Sequence, residues 1–146
     1  MNADDPLAHV TGREFLQNMI DQGIMASMAI TLGFRLVEVG DGFARFEGRV
    51  TKDHLNPAGV GHGGYAATIL DSALGCAVQT KLPKATHYGT VELKINCIRP
   101  LLPECGLLTA TAQAIHVGRR MGTSEGRLVD ESGKLLAHGS TTCMIY

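Results

Sequence analysis

The sequence predicts an α+β domain in which a curved antiparallel sheet wraps around one long buried helix. Three observations carry this expectation. The spacing of apolar residues changes from a helical period to a period of two after Gly33. The stretch from Gly63 to about Gln79 is apolar or small on every side, which suits a helix enclosed by other elements. From Ala85 onward the pattern is strand after strand, with no further helix.

Each element has its own warrant. Residues 1–10 are polar and contain Pro6, and are expected to be loosely held. From Thr11, the apolar set Phe15, Leu16, Met19 and Ile20 recurs with helical spacing until Gly23 interrupts it. A second apolar run, Ile24 to Leu32, continues as helix or turn and stops at Gly33, so 11–32 is read as an N-terminal helical segment. Phe34 to Val39 and Phe43 to Val50 then alternate about Gly40-Asp41-Gly42, the signature of a β-hairpin with an Asp-Gly turn. The loop from His54 to His62 is rich in breakers and leads into the apolar helix. Four strands follow: 85–99, carrying Val91, Leu93, Ile95 and Cys97 in alternation; 106–117; 119–130; and, after the turn Glu131-Ser132-Gly133-Lys134, 135–146. Strands of this length leave edges, and pairing edges across a two-fold axis is a common way to cover them.

A chain of 146 residues suffices for one domain with one core, and 1–146 is read as a single unit. A net charge of −1 argues against a nucleic-acid binder, which would carry a basic face. Cys76, Cys97, Cys105 and Cys143 form no CxxC pair and read as reduced thiols of a cytosolic protein. The first ten residues hold acidic side chains and no apolar run, unlike a signal peptide, and no stretch reaches the ~20 apolar residues of a membrane span. A soluble, cytoplasmic protein with no membrane partner is expected. The histidines show no metal-ligand spacing, so neither a metal nor another cofactor is expected. His87, His116 and His138 read as ordinary strand histidines, His54 as a loop-rim residue.

The residue that stands out is Asp71. It interrupts the apolar helix between Ile69-Leu70 and Ala73-Leu74, and a carboxylate there is costly unless it is paired, hydrogen-bonded or in a pocket. Positions one turn away are Ala67, Thr68, Leu74 and Gly75, so no cation neutralises it within the helix; Thr68 is the one available donor. The second feature is the helix start, His62-Gly63-Gly64. Free N–H groups at a helix N-terminus attract oxyanions and polarise carbonyls, and glycines there let a substrate approach the backbone. Gly63 and Asp71 are eight positions apart, ~12 Å along one helix at 1.5 Å per residue, too far to act on one carbonyl. If they cooperate, they come from two copies of the chain, and a homodimer is required.

The run Asn56-Pro57-Ala58-Gly59-Val60-Gly61-His62-Gly63-Gly64, followed by Asp71 in a small-residue helix, resembles the hotdog-fold thioesterases of the phenylacetate-pathway (PaaI-like) type. Their superfamily also includes the 4-hydroxybenzoyl-CoA thioesterases. The resemblance covers roughly Gly33 to Tyr146. It implies a hotdog fold and hydrolysis of an acyl-coenzyme A thioester to free acid and coenzyme A, in a homodimer and, further, a homotetramer. By position, Gly63 matches the glycine whose N–H polarises the thioester carbonyl. Asp71 matches the acid that, from the partner subunit, activates water or attacks the carbonyl. His62 and Asn56 match polar residues that line the thioester and hold the loop or the water, and Thr90 falls near that water. Gly64, Thr68, Gly89 and Gly118 are expected beside the substrate, with Arg119 and Arg120 meeting coenzyme A phosphates. The acyl tunnel is expected between the buried helix, the N-terminal helix and the facing strands. Where the 4-hydroxybenzoyl-CoA branch commonly has Glu, Asp71 has one methylene less reach. The extra room suits a water, and so a general base rather than a covalent intermediate. Two other readings stay open: a non-catalytic acyl-CoA-binding module, and an enoyl-CoA hydratase or dehydratase, whose His-acid pattern this chain lacks.

Overall fold

A computed structural model describes residues 5–146; residues 1–4 of the segment expected to be loosely held lie outside them. From Asp5 onward the segment is tied to the domain. Leu7 is buried, its carbonyl accepts the Ala85 N–H at 2.9 Å, and Asp5 reaches His87 at 3.0 Å.

Helix α1 spans Gly12–Gln22, and its start is fixed by a reciprocal cap. Glu14 N–H donates to Thr11 Oγ1 at 3.3 Å, while Thr11 N–H donates to Glu14 Oε2 at 2.7 Å. Gly23 closes it in the left-handed conformation, as Gly33 closes α2 (Ser27–Leu32). The apolar run from Ile24 is therefore helical only from Ser27.

The hairpin of β1 (Phe34–Gly40) and β2 (Phe43–Gly48) turns at Asp41-Gly42, and Val37 bulges out of its ladder. Helix α3 (Gly63–Gln79) occupies the expected span. The four remaining strands are β3 (Tyr88–Cys97), β4 (Leu108–Val117), β5 (Met121–Val129) and β6 (Leu135–Ile145). β3 starts later than the expected 85–99: Ala85, at φ 53°, donates its N–H to the Leu7 carbonyl, while His87 still pairs with Tyr146 beside the β3–β6 ladder.

All pairings are antiparallel, in the order β1-β2-β4-β5-β6-β3. The six-stranded sheet curves around α3 in the hotdog arrangement. Ile69, Leu70, Ala73, Leu74 and Ala77 are fully buried against Leu108, Leu128 and Leu136 of the sheet and Phe34 and Phe46 of the hairpin. Each large aliphatic side chain so enclosed contributes about 2–3 kcal/mol, and the alanines between them let helix and sheet approach closely.

β1 and β3 are the edges. β3 is exposed over most of its length: Val91 is 58% and Leu93 36% exposed, so the apolar alternation in this strand does not mark a core face. No helix among the described residues is long and apolar enough to cross a membrane.

Candidate active site

The loop before α3 is held by its own backbone. A 3-10 turn at Lys52–His54 brings the His54 carbonyl to the His62 N–H at 2.8 Å. Asn56 Oδ1 accepts the N–H groups of Ala58 and Val60 at 2.9 and 3.3 Å, which folds the Asn-Pro-Ala-Gly turn. Gly61 N–H donates to the Leu101 carbonyl at 2.6 Å, and the His54 ring packs on Tyr65 with centroids 4.6 Å apart. His62 is the N-cap of α3: its Nδ1 accepts the Gly64 N–H at 3.0 Å and its carbonyl the Tyr65 N–H at 2.9 Å. This leaves the Gly63 N–H as the donor of the first turn without an acceptor among the described residues. Gly63 is exposed, and a side chain built there would meet nothing nearer than Cys97 Sγ at 3.9 Å. A carbonyl oxygen can reach this N–H unhindered.

Asp71 sits two turns further along α3, on the half-buried flank of the helix. Thr90 Oγ1 donates to Asp71 Oδ1 at 3.0 Å. A bulge explains why Thr90 points there. The β3–β6 register moves from Thr90↔Cys143 to Glu92↔Thr142, so Val91 is the extra residue, and a bulge beside a site re-aims the neighbouring side chain. The donor expected from Thr68 is not used: Thr68 Oγ1 donates to the Gly64 carbonyl at 2.8 Å, and Ser72 Oγ to the Thr68 carbonyl at 3.0 Å. Short hydroxyl side chains in a helix interior satisfy themselves one turn back.

Asp71 and Thr90 stand at the wall of a cavity of about 420 Å³. Phe15, Met19, Met25 and Met28 of the N-terminal segment close one side, Phe34 and Phe46 of the hairpin another, and Ser72, Cys76, Gln79 and Tyr88 the rest. Tyr88 lies close because residue 75 is glycine; a Cβ there would stand 2.7 Å from the Tyr88 hydroxyl. That hydroxyl shares the cavity wall with the Cys76 thiol. Burial, with the Asp71 charge second, pushes the Cys76 thiol up to about 12, and burial likewise raises the Tyr88 phenol well above its ordinary value. Both stay protonated, so Cys76 is not a nucleophile. The cavity carries one carboxylate, Asp71, and no cationic side chain among its lining.

Within one chain, Asp71 and Thr90 come together, as do His62, Gly63 and Gly64, but the two groups remain separated along α3. Gly89 lies on β3 between Tyr88 and Thr90, opposite Met144. Gly118, Arg119 and Arg120 form the exposed β4–β5 turn, where Gly118 N–H donates to the Met121 carbonyl at 2.8 Å. Gly118 and Arg119 line a second hollow with Lys81 and Thr86, apart from Asp71. Tyr88 and Gln79 join the cavity without having been expected there. Both carry a signal in the sequence: Tyr88 is two positions before Thr90 on the same strand, and Gln79 is eight after Asp71, on the same helix flank.

Comparison with known proteins places this geometry. Residues 58–137, more than half of the chain, match the family model described as "Thioesterase superfamily". The chain is 31% identical over 116 residues to a 1,4-dihydroxy-2-naphthoyl-CoA hydrolase of Listeria monocytogenes, covering 79% of this chain and 92% of that protein. Among solved structures, the PaaI protein of the phenylacetic acid degradation operon of E. coli superposes with a TM-score of 0.78 at 26% identity, covering 88% of this chain and 90% of that one. A PaaI mutant from Thermus thermophilus gives 0.74 at 28% identity, covering 82% and 98%. The match runs through the breaker-rich loop, the enclosed helix that carries Asp71 and the strand that carries Thr90, and with the six-stranded wrap around α3 it shows that the chain belongs to the thioesterase superfamily, as a hotdog-fold thioester hydrolase.

Proposed function

We propose that the chain hydrolyses acyl-coenzyme A thioesters in a site shared between two copies. The observation that carries this reading is the Asp71 carboxylate, held by Thr90 at 3.0 Å beside an apolar cavity that contains no other ionised group. The acyl group lies in that cavity. The thioester carbonyl rests on the Gly63 N–H of the second copy, where the helix terminus stabilises the negative charge that develops on oxygen. A donor of this kind contributes about 3 kcal/mol, or a hundredfold in rate. Asp71 takes the proton of a water that attacks the carbonyl carbon, and coenzyme A leaves as the thiol. Thr90 fixes the carboxylate, and His62, by binding the Gly64 N–H, fixes the terminus that presents Gly63.

The ~12 Å between Gly63 and Asp71 on one helix supports the need for two copies. The exposed β3 edge, with Val91 and Leu93 outward, supplies a surface on which they can meet.

Asp71→Asn removes the base and retains the shape. Turnover of acyl-CoA, read as thiol release, falls at least about a hundredfold, while sedimentation still gives the wild-type assembly. Wild-type turnover by Asp71→Asn would exclude Asp71 as the base. Thioester binding without thiol release by the wild type would favour the binding-module reading.

A further inference from the structure

The cavity beside Asp71 contains a polar group for which hydrolysis has no use. Gln79, the last residue of α3, is 7% exposed and lines the cavity, and its side-chain amide makes no hydrogen bond to another described residue but is not sealed from water. Its position is fixed. The Gln79 carbonyl accepts the Leu82 N–H at 2.9 Å, Gly12 N–H donates to the Leu82 carbonyl at 3.0 Å, and Gly12 packs on Gln79 with no room for a side chain. The other polar groups in the lining near this end are the Cys76 thiol and the Tyr88 hydroxyl, both raised in pKa by burial and so neutral. An amide that makes no hydrogen bond within the protein and borders a cavity is satisfied by water there or by what displaces that water.

We infer that Gln79 is a specificity-determining residue: it reads a neutral hydrogen-bonding group, a hydroxyl or keto oxygen, at the distal end of a medium-length acyl group whose thioester carbon lies at Asp71. This deepens the proposed thioester hydrolysis and rests on it. The eight residues from Asp71 to Gln79 span ~12 Å of helix. Contact distance at each end and side chains that lean towards the helix N-terminus take up part of that span, and the remainder suits a medium-length acyl chain rather than a long one. The methionines Met19, Met25 and Met28 on the facing wall adapt to the shape of such a chain. A terminal carboxylate does not fit, because the lining offers no cation and already carries Asp71. The amide both donates and accepts, which matches a hydroxyl on both counts.

The test is a ratio of kcat/KM for two thioesters of equal length, 8-hydroxyoctanoyl-CoA and octanoyl-CoA, followed by thiol release. The wild type favours the hydroxylated thioester about tenfold or more, because the unsubstituted chain leaves the amide unpaired. In Gln79→Met, of similar length, and in Gln79→Leu, the ratio falls to one or below. A ratio taken within one protein is insensitive to how much of it is folded. Equal cleavage of both thioesters by the wild type, or a ratio that neither variant moves, overturns this inference and leaves the hydrolysis standing. A wild type that cleaves no acyl-CoA removes both.

Discussion

Thr90→Val isolates the contact that positions the proposed base. The substitution retains volume and β-branching and removes one hydrogen bond, Thr90 Oγ1 to Asp71 Oδ1 at 3.0 Å. A hydrogen bond to a charged group contributes about 1.5–3 kcal/mol. Thr90 is exposed, so water replaces part of the bond and the lower figure applies. At 1.36 kcal/mol per decade, about 1.5 kcal/mol is roughly a tenfold loss in kcat, with a ceiling near 150-fold at ~3 kcal/mol. KM stays near the wild-type value, because the apolar walls that hold the acyl group are untouched. Stability changes by no more than about 0.5 kcal/mol, within about 2 °C in melting temperature, as for other exposed positions. Thr90→Ser restores the hydroxyl and most of the rate. The assay is steady-state thiol release beside a thermal melt for all three proteins. A wild-type kcat in Thr90→Val would refute the reasoning, as would a loss that tracks a falling melting temperature and is not rescued by serine.

Two further expectations concern groups outside the Asp71–Thr90 pair. Burial pushes the Cys76 thiol up to about 12, so it is not thiolate at pH 8, whereas Cys97 is exposed. Iodoacetamide at pH 8 therefore labels native Cys97 well before Cys76, read by peptide mass spectrometry; equal labelling counts against the packing drawn for α3 and Tyr88. The Leu7 N–H and then His87 hold the Asp5 carboxyl below the usual carboxylate range. A lowered folded-state value means that the stabilisation is complete above the unfolded value, near pH 4, and fades as pH falls through the lowered one. Asp5→Asn should thus melt earlier than wild type at pH 7 and match it in strong acid, and a gap that persists there contradicts the assignment.

The sequence is most legible where a single physical constraint acts. Helix α3 is plain because glycines and a histidine cap precede it and apolar or small residues fill most of its interior. The hairpin is plain because Asp41-Gly42 suits its turn. Thr90 is harder. Its aim at Asp71 depends on the bulge at Val91, and the alternation of Val91, Leu93 and Ile95 runs through that position without a break. The same alternation suggests a buried face, yet β3 is an edge strand whose Val91 and Leu93 are exposed within the chain. Thr68 shows the opposite failure. One turn from Asp71 it is the obvious donor, but its hydroxyl turns back to its own helix, a local choice that spacing does not reveal. Gln79 is easy to overlook because it closes the helix and reads as a boundary; only the structure places it in the lining of the cavity.

Helices α1 and α2 precede the segment 58–137 that carries the family pattern, yet they and the link between them furnish Phe15, Met19, Met25 and Met28 to the cavity. On the proposed function, the wall around the acyl group is thus shared between this leading segment and the helix that carries Asp71 and ends at Gln79. Drift in residues 12–32 can reshape what fits without disturbing the helix that bears the acid or the strand that steadies it. Exchanging that leading segment between relatives is, on this basis, the shortest route to a new acyl preference on an unchanged catalytic frame.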